Sequence, residues 1–339
     1  MRNRSLSRWV ARCLLLVLSF LSIEASAQQR LVRGVETVRV TVRDLDRSLA
    51  FYTTVLPFNK LGEAELTGEP VEHAFGLFGV HARSARLQLG EEQIELIEFL
   101  APSGRDIEPT ANANDRSFQH VAIIVRDMES AYAVLRRNHV RFASSDPQRL
   151  PDWNVAAGGI KAFYFRDPDG HFLELLQFPD GKGDPRWHRA GTNLFLGIDH
   201  TAIVVASTSE SLHFYRDLLG MRITGESDNY GTEQEHLNNV FGAHLRITAL
   251  RGDHGPGIEL LEYLAPRNGK PYPEDDRASD LEHWVTVLAA VDNQRAWTTL
   301  TNEHQKLISS SIENALPLSG SRFEVRDPDG HAIELADEN

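Results

Sequence analysis

The chain has 339 residues, 41% of them hydrophobic and 24% charged, and a formal net charge of −13. That length gives room for about two domains of ~150 residues, each able to bury a core without disulfide staples. The negative balance excludes a nucleic-acid binder, which needs basic surface to release counterions, and adsorption to an anionic membrane surface.

The first 27 residues stand apart. Arg2, Arg4, Arg8 and Arg12 precede a mostly apolar run from Cys13 to Ile23, and Ala25, Ser26 and Ala27 follow. A basic front, a short apolar run and a small-residue site read as a secretory signal peptide over residues 1–27; the run is too short to span a bilayer comfortably. An uncleaved anchor is the alternative. Cleavage removes four arginines and one glutamate, which takes the net charge from −13 to −16, and it removes Cys13, the only cysteine. The mature chain is therefore expected to be periplasmic or secreted. It has no thiolate to offer a metal, so any ion must rest on histidine and carboxylate.

Further along, the chain repeats itself. Leu49-Ala-Phe-Tyr-Thr-Thr-Val-Leu56 returns as Leu212-His-Phe-Tyr-Arg-Asp-Leu-Leu219. Phe78-Gly-Val-His81 returns as Phe241-Gly-Ala-His244, and Ile94-Glu-Leu-Ile-Glu-Phe-Leu-Ala-Pro102 as Ile258-Glu-Leu-Leu-Glu-Tyr-Leu-Ala-Pro266. Arg166-Asp-Pro-Asp-Gly-His-Phe-Leu-Glu174 returns as Arg326-Asp-Pro-Asp-Gly-His-Ala-Ile-Glu334. Such self-similarity is the mark of a duplication, with halves at 31–182 and 195–339. A linker at 183–194 falls within the Pro-, Gly- and charge-rich stretch from Pro179 to Thr192.

Each half divides again into two units that run strand, helix, then two or three strands. The opening strands are Thr37 to Val42, Gln119 to Val125, Asp199 to Val205 and His283 to Val287. Asp44 and Asp46, Asp127, and Ser209 and Ser211 suit helix starts, where short oxygen side chains satisfy free N–H groups. In the second unit Val121, Ile123 and Val125 share one strand face, expected to pack on the helix. His120, Ala122 and Ile124 share the other, which looks into whatever the sheet curves around. The Asp-Pro-Asp-Gly turns near the ends of both halves each deliver a glutamate into an apolar strand, where a carboxylate is costly without a partner.

That partner is the central question. A histidine begins three of the four opening strands (His120, His200, His283), and a glutamate sits in all four closing strands (Glu95, Glu174, Glu259, Glu334). Thr37 stands where the first unit would have its histidine. Two units packed face to face bring together two imidazoles and two carboxylates, which balance one divalent cation and leave room for substrate oxygens. Arg39, on the cleft side with Thr37 and Thr41, either binds an anionic substrate group or neutralises a glutamate in a site without metal. His171 and His331 read as turn or surface packing residues, and Trp153 lies in a loop that is either a lid or ordinary surface.

These four β-α-β-β-β units, the Phe-Tyr-x-x-x-Leu helices, the Asp-Pro-Asp-Gly-x-x-x-Glu-Leu turns and the His/Glu placement resemble the vicinal oxygen chelate superfamily. That family includes glyoxalase I, bleomycin-resistance proteins and extradiol dioxygenases. The resemblance covers nearly the whole mature chain. It implies an α+β fold of four modules, paired successively into two curved mixed sheets with helices outside, each sheet around one cleft. Carried over by position, it implies a C-terminal metal site of His200, Glu259, His283 and Glu334, with Glu334 or Glu259 as the catalytic base. Glu95, His120, Glu174 and Arg39 would form a second or degenerate site.

The resemblance further implies one divalent ion (Zn, Ni, Mn or Fe) and a small oxygenated metabolite as substrate, acted on by isomerase- or lyase-like proton transfer. The alternatives are an extradiol-type dioxygenase using His200, His283 and Glu334, and a non-catalytic binding or resistance protein. No nucleic acid and, once the leader is gone, no membrane is expected as partner; a homodimer is left open.

Overall fold

The computed structural model describes residues 30–314 and 320–337, so the expected signal peptide lies outside the described residues. The first module comprises β1 (Val32–Val42), α1 (Leu45–Thr54), β2 (Asn59–Thr67), α2 (Glu69–Phe75), β3 (His81–Leu89) and β4 (Glu92–Ala101). The second comprises β5 (Gln119–Val125), α3 (Met128–Arg137), the short β6 (Arg141–Phe142) and β7 (Gln148–Arg149), β8 (Lys161–Arg166) and β9 (Phe172–Gln177). The third repeats the first: β10 (Phe195–Val205), α4 (Thr208–Leu212) running into a π turn at His213–Leu218, β11 (Arg222–Tyr230), α5 (Thr232–Asn238), β12 (His244–Arg251) and β13 (Gly257–Ala265). The fourth has β14 (Trp284–Ala290), α6 (Asn293–Asn302), β15 (Arg322–Arg326) and β16 (Ala332–Asp337).

Helix starts follow the chemistry of short oxygen side chains. Asp44, Asp127, Ser207 and Asp292 each accept a backbone N–H three residues on. Each satisfies a donor that the first helical turn leaves open, worth ~1 kcal/mol. In the third module the cap is Ser207; Ser209 and Ser211 lie inside the helix.

Among the described residues the strands form two curved mixed sheets. One has the order β15-β16-β14-β1-β4-β3-β2, the other β11-β12-β13-β10-β5-β9-β8-β6, with β7 on β8. The first module is thus paired with the fourth, and the second with the third. This corrects the expectation that successive modules share a sheet. The joints are antiparallel pairs of opening strands: Arg39 faces Val285 across β1 and β14, and Ala202 faces His120 across β10 and β5.

The period-two reading of β5 holds. Val121, Ile123 and Val125 join Met128, Ala131 and Leu135 of α3 in one core, while Ala122 and Ile124 belong to the core on the inner face. Removing such a side chain from water contributes roughly 1.5–3 kcal/mol.

The two Asp-Pro-Asp-Gly turns are clamps between modules. Asp167 Oδ1 accepts the backbone N–H groups of Asp169, Gly170 and His171, and Gly170 takes the positive φ of +104° that closes the turn. Tyr52 of α1 donates to Asp167, and His171 is held between Asp167 and the Leu281 carbonyl. The Asp327 turn does the same with Tyr215, His331 and the Arg116 carbonyl. His171 and His331 are therefore buried clamp residues, not surface ones.

Candidate metal centre

Because β5 and β10 are neighbours, the residues that meet come from the second and third modules. His120 and His200 lie on those strands, each two residues ahead of the position level with Glu174 and Glu259 in the parallel ladders. His120 Nε2 is 3.2 Å from Glu174 Oε2, His200 Nε2 is 3.7 Å from that same oxygen, and His200 Nε2 is 3.4 Å from Glu259 Oε2. The ligand atoms of His120, Glu174 and His200 all lie within 4.8 Å of one another, and the three residues are buried.

The His200 imidazole is aimed from behind, whereas neither ring nitrogen of His120 has a hydrogen-bond partner. His200 Nδ1 is 3.1 Å from Asp199, which also receives Trp187 Nε1 at 3.1 Å and Arg251 at 2.8 Å. With Nδ1–H donating to Asp199, the lone pair of Nε2 faces the two glutamates, the arrangement that supports metal-ligating histidine. Burial opposes charge on His200, yet Glu259, Asp199 and Glu174 outweigh it and raise its pKa to about 9. Burial, with Glu174 and Asp199 beside it, raises Glu259 above the ordinary carboxylate range. The cage is thus short of positive charge. The Nε2 atoms of both histidines are buried without a hydrogen-bond partner. Buried polar nitrogens in that state are rare, and a divalent cation satisfies them. These residues fit such an ion.

The expected set His200, Glu259, His283 and Glu334 is not assembled. His200 and Glu259 lie in one sheet, His283 and Glu334 with the other. His283 is also two residues from the ligand position. In the β14–β16 ladder Val285 is level with Ala332 as His120 is level with Phe172, so Val285 and Thr37 occupy the two histidine positions of the second cup. His283 turns its Nδ1 to Asp276 at 2.7 Å.

Arg39 fills the centre of that cup. Its guanidinium meets Glu95 at 3.0 Å, Glu324 at 3.0 Å and Glu334 at 2.9 Å, and Arg322 meets Glu334 at 2.7 Å. Burial works against the charge of Arg39, but Glu334, Glu95 and Glu324 hold it protonated. Arg39, at the position that Ala202 holds in the other cup, therefore neutralises the glutamates, and Glu334, locked by two arginines, is not free to act as a base. Glu324, level with Glu334 as Tyr164 is with Glu174, gave no signal in the repeat because its counterpart is not acidic.

This cluster has a pH signature. Burial pushes Glu324 up to about 7 from the ordinary value of 4.5, against Arg39 and helped by Glu334. The folded state therefore holds a proton that the unfolded chain has released. That contribution to stability is full below about 4.5 and is lost as pH rises through about 7. Its slope is at most ~1.4 kcal/mol per pH unit. Glu324→Gln is expected to remove this slope, measured as urea midpoints against pH; an unchanged slope refutes the assignment.

The cup with the two histidines opens into a cavity of about 190 Å³ that touches His120, Glu174, His200 and Glu259. The Glu259 side chain, which lines both this cavity and the adjoining cleft, is 25% exposed, against 6% for Glu174, so Glu259 is the more accessible carboxylate.

A double cup of β-α-β-β-β modules with a His/Glu/His cluster on its strand ladders defines the fold class of the chain. The chain belongs to the Glyoxalase/Bleomycin resistance protein/Dioxygenase superfamily, whose model matches residues 34–175 and 197–335. It is 26% identical over 317 residues to a lactoylglutathione lyase of Schizosaccharomyces pombe, covering 88% of this chain and 94% of that protein. It is 23% identical over 312 residues to a catechol-2,3-dioxygenase of Bacillus subtilis, covering 86% and 92%. Its fold matches that of glyoxalase I from Zea mays with a TM-score of 0.61 at 17% identity, covering 90% of this chain and 92% of that one.

Proposed function

We propose that the protein is a divalent-metal-dependent enzyme that moves a proton between adjacent carbons of a small oxygenated metabolite, in the manner of a lyase or isomerase. The observation that carries this reading is the pair of buried, unpartnered imidazole nitrogens facing Glu174 and Glu259. His120, Glu174 and His200 would hold the ion, with Glu259 at its open side. When bound, a divalent ion supplies Lewis acidity to two neighbouring substrate oxygens. Glu259 serves as the base: its carboxylate reaches the cavity, and its raised pKa brings it nearer the pH at which proton transfer is efficient. Asp199 fixes the ring of His200, and Tyr164, 4.9 Å from His120 ring to ring, walls the site.

A second reading has its own support. His120, His200 and Glu174 form a tight two-histidine, one-carboxylate set, and such a set on Fe(II) suits oxygen chemistry. One experiment separates them. Protein loaded with Zn²⁺ or Ni²⁺ is expected to exchange the carbon-bound hydrogens of dihydroxyacetone with D₂O, followed by NMR. Oxygen uptake with catechol by the Fe(II) form alone transfers the assignment to a dioxygenase. Neither activity, with the ion bound, leaves a binding or resistance protein.

Export is proposed from residues 1–27 alone. The mature chain is expected to begin after Ala27, checked by intact mass of protein recovered outside the cytoplasm; full-length chain there contradicts cleavage.

A further inference from the structure

The cavity beside His120 and His200 carries information about what enters it. At about 190 Å³ it is below the ~300–1,000 Å³ of pockets that hold drug-sized ligands. Its walls are largely apolar, with Leu176, Leu237, Ile247 and Leu261 among them. Among the described residues that line it there is no lysine or arginine, while Glu174, Glu226 and Glu259 are all present. A ligand anion held among these walls, away from the adjoining cleft that Arg186 and Arg251 border, would be desolvated without a partner.

The lining also carries two carboxamides, Asn229 and Gln234, and they are fixed in place. Asn229 accepts from Asn154 at 2.7 Å and donates to Gln234 at 3.1 Å. Gln234 donates to Asn238, which donates to the Tyr263 hydroxyl at 2.7 Å. Asn154 belongs to the segment that closes the cavity, which contributes Leu150, Ala157 and Ile160 to the lining. The same segment is clasped to β11 by Trp153 against Tyr230, with ring centroids 4.4 Å apart. Each carboxamide has more donors and lone pairs than this chain uses, so Asn229 and Gln234 keep capacity for a neutral polar group.

We infer that the site selects a compact, largely apolar ligand that bears no negative charge apart from its chelating oxygens, with Asn229 and Gln234 reading a neutral polar group on it. This rests on the reading that His120, Glu174 and His200 hold the ion. It separates this cavity from one built for a chelator with an anionic tail.

The test uses the whole mature protein loaded with Zn²⁺, a redox-inert ion, with loading confirmed by elemental analysis. Calorimetry then compares 4-methylcatechol with 3,4-dihydroxybenzoate, which share the chelating oxygens and differ in one carboxylate. The first is expected to bind more tightly by about tenfold or more, because the second buries an unpaired charge. Ile247→Arg, which sets a cation in the wall, is expected to narrow or reverse that preference. Equal affinities, or tighter binding of the carboxylate by the unmodified protein, overturn the inference while the metal reading stands. Failure to retain Zn²⁺ overturns the metal reading and this inference together.

Discussion

His200→Ala and His120→Ala proteins are expected to purify without a stoichiometric divalent ion, while Glu259→Gln retains the ion and loses proton transfer. The two histidines are the neutral donors of a cage whose other members are anionic, so either loss removes a direct ligand. Affinity should fall by well over the ~10–100-fold typical of losing a supporting partner one step further out. Glu259→Gln keeps the shape of the side chain and removes its basicity. Its expected cost is ~10²–10⁴ in turnover, the usual range for one acid–base group. His283→Ala belongs to the other cup and is expected to keep the full complement of ion. Elemental analysis of the four variants decides the matter. Retention of the ion by His120→Ala together with its loss from His283→Ala would return the centre to the C-terminal half, and retention by His200→Ala would refute both assignments.

The second large effect belongs to Arg39. Its guanidinium is the hub of three carboxylates, and the whole group is buried. Arg39→Leu removes the hub and leaves Glu95, Glu324 and Glu334 with Arg322 as the cation that reaches them at 2.7 Å through Glu334. Breaking a buried ion pair from one side costs ~3–5 kcal/mol, because the stranded charge stays desolvated. Urea denaturation at pH 7 should show a loss of that order. The sign with pH is fixed by the same physics. Stranded carboxylates take folded-state pKa values above their unfolded ones, so the deficit shrinks as pH falls and those groups protonate. Adding Glu95→Gln and Glu334→Gln to Arg39→Leu should recover part of the loss at pH 7. A variant within ~1 kcal/mol of the parent would mean that the cluster opens to water, and that its burial is not what Arg39 sustains.

Much of this was legible in the chain. The modules, their helix caps and the inner face of β5 follow from repeat and periodicity. The donors that meet are four of the residues the repeat singled out. What the repeat did not reveal was which modules meet. The segments between modules span residues 102–118, 178–194 and 266–283, nearly equal in length, so connection length favours no pairing. A subtler signal was present. His120 stands seven residues before its helix cap Asp127, and His200 seven before Ser207. Counted likewise from Asp44 and Asp292, the ligand positions are Thr37 and Val285, and His283 falls two residues short. Anchored on the caps, only the second and third modules own a histidine where a ligand belongs, and a two-histidine centre requires those two to pair. Alignment on the histidines themselves concealed this. The arginine hub was half visible: Arg39 and Glu95 could be placed in the cup, whereas Glu324 and Arg322 have no acidic or basic counterparts in the second module.

The crossed pairing of modules also governs how the chain must mature. Val38 on β1 lies level with Thr286 on β14, so the N-terminal half leaves the ribosome with a partner strand that has yet to be made. Until then the inner edges of β1 and β5 are open templates for any passing strand, a known hazard for misassembly. Neither half alone owns a complete ion cage, for each supplies one histidine and one glutamate. Co-expression of residues 28–182 and 183–339 as separate polypeptides should therefore restore the centre only when the two fragments find each other.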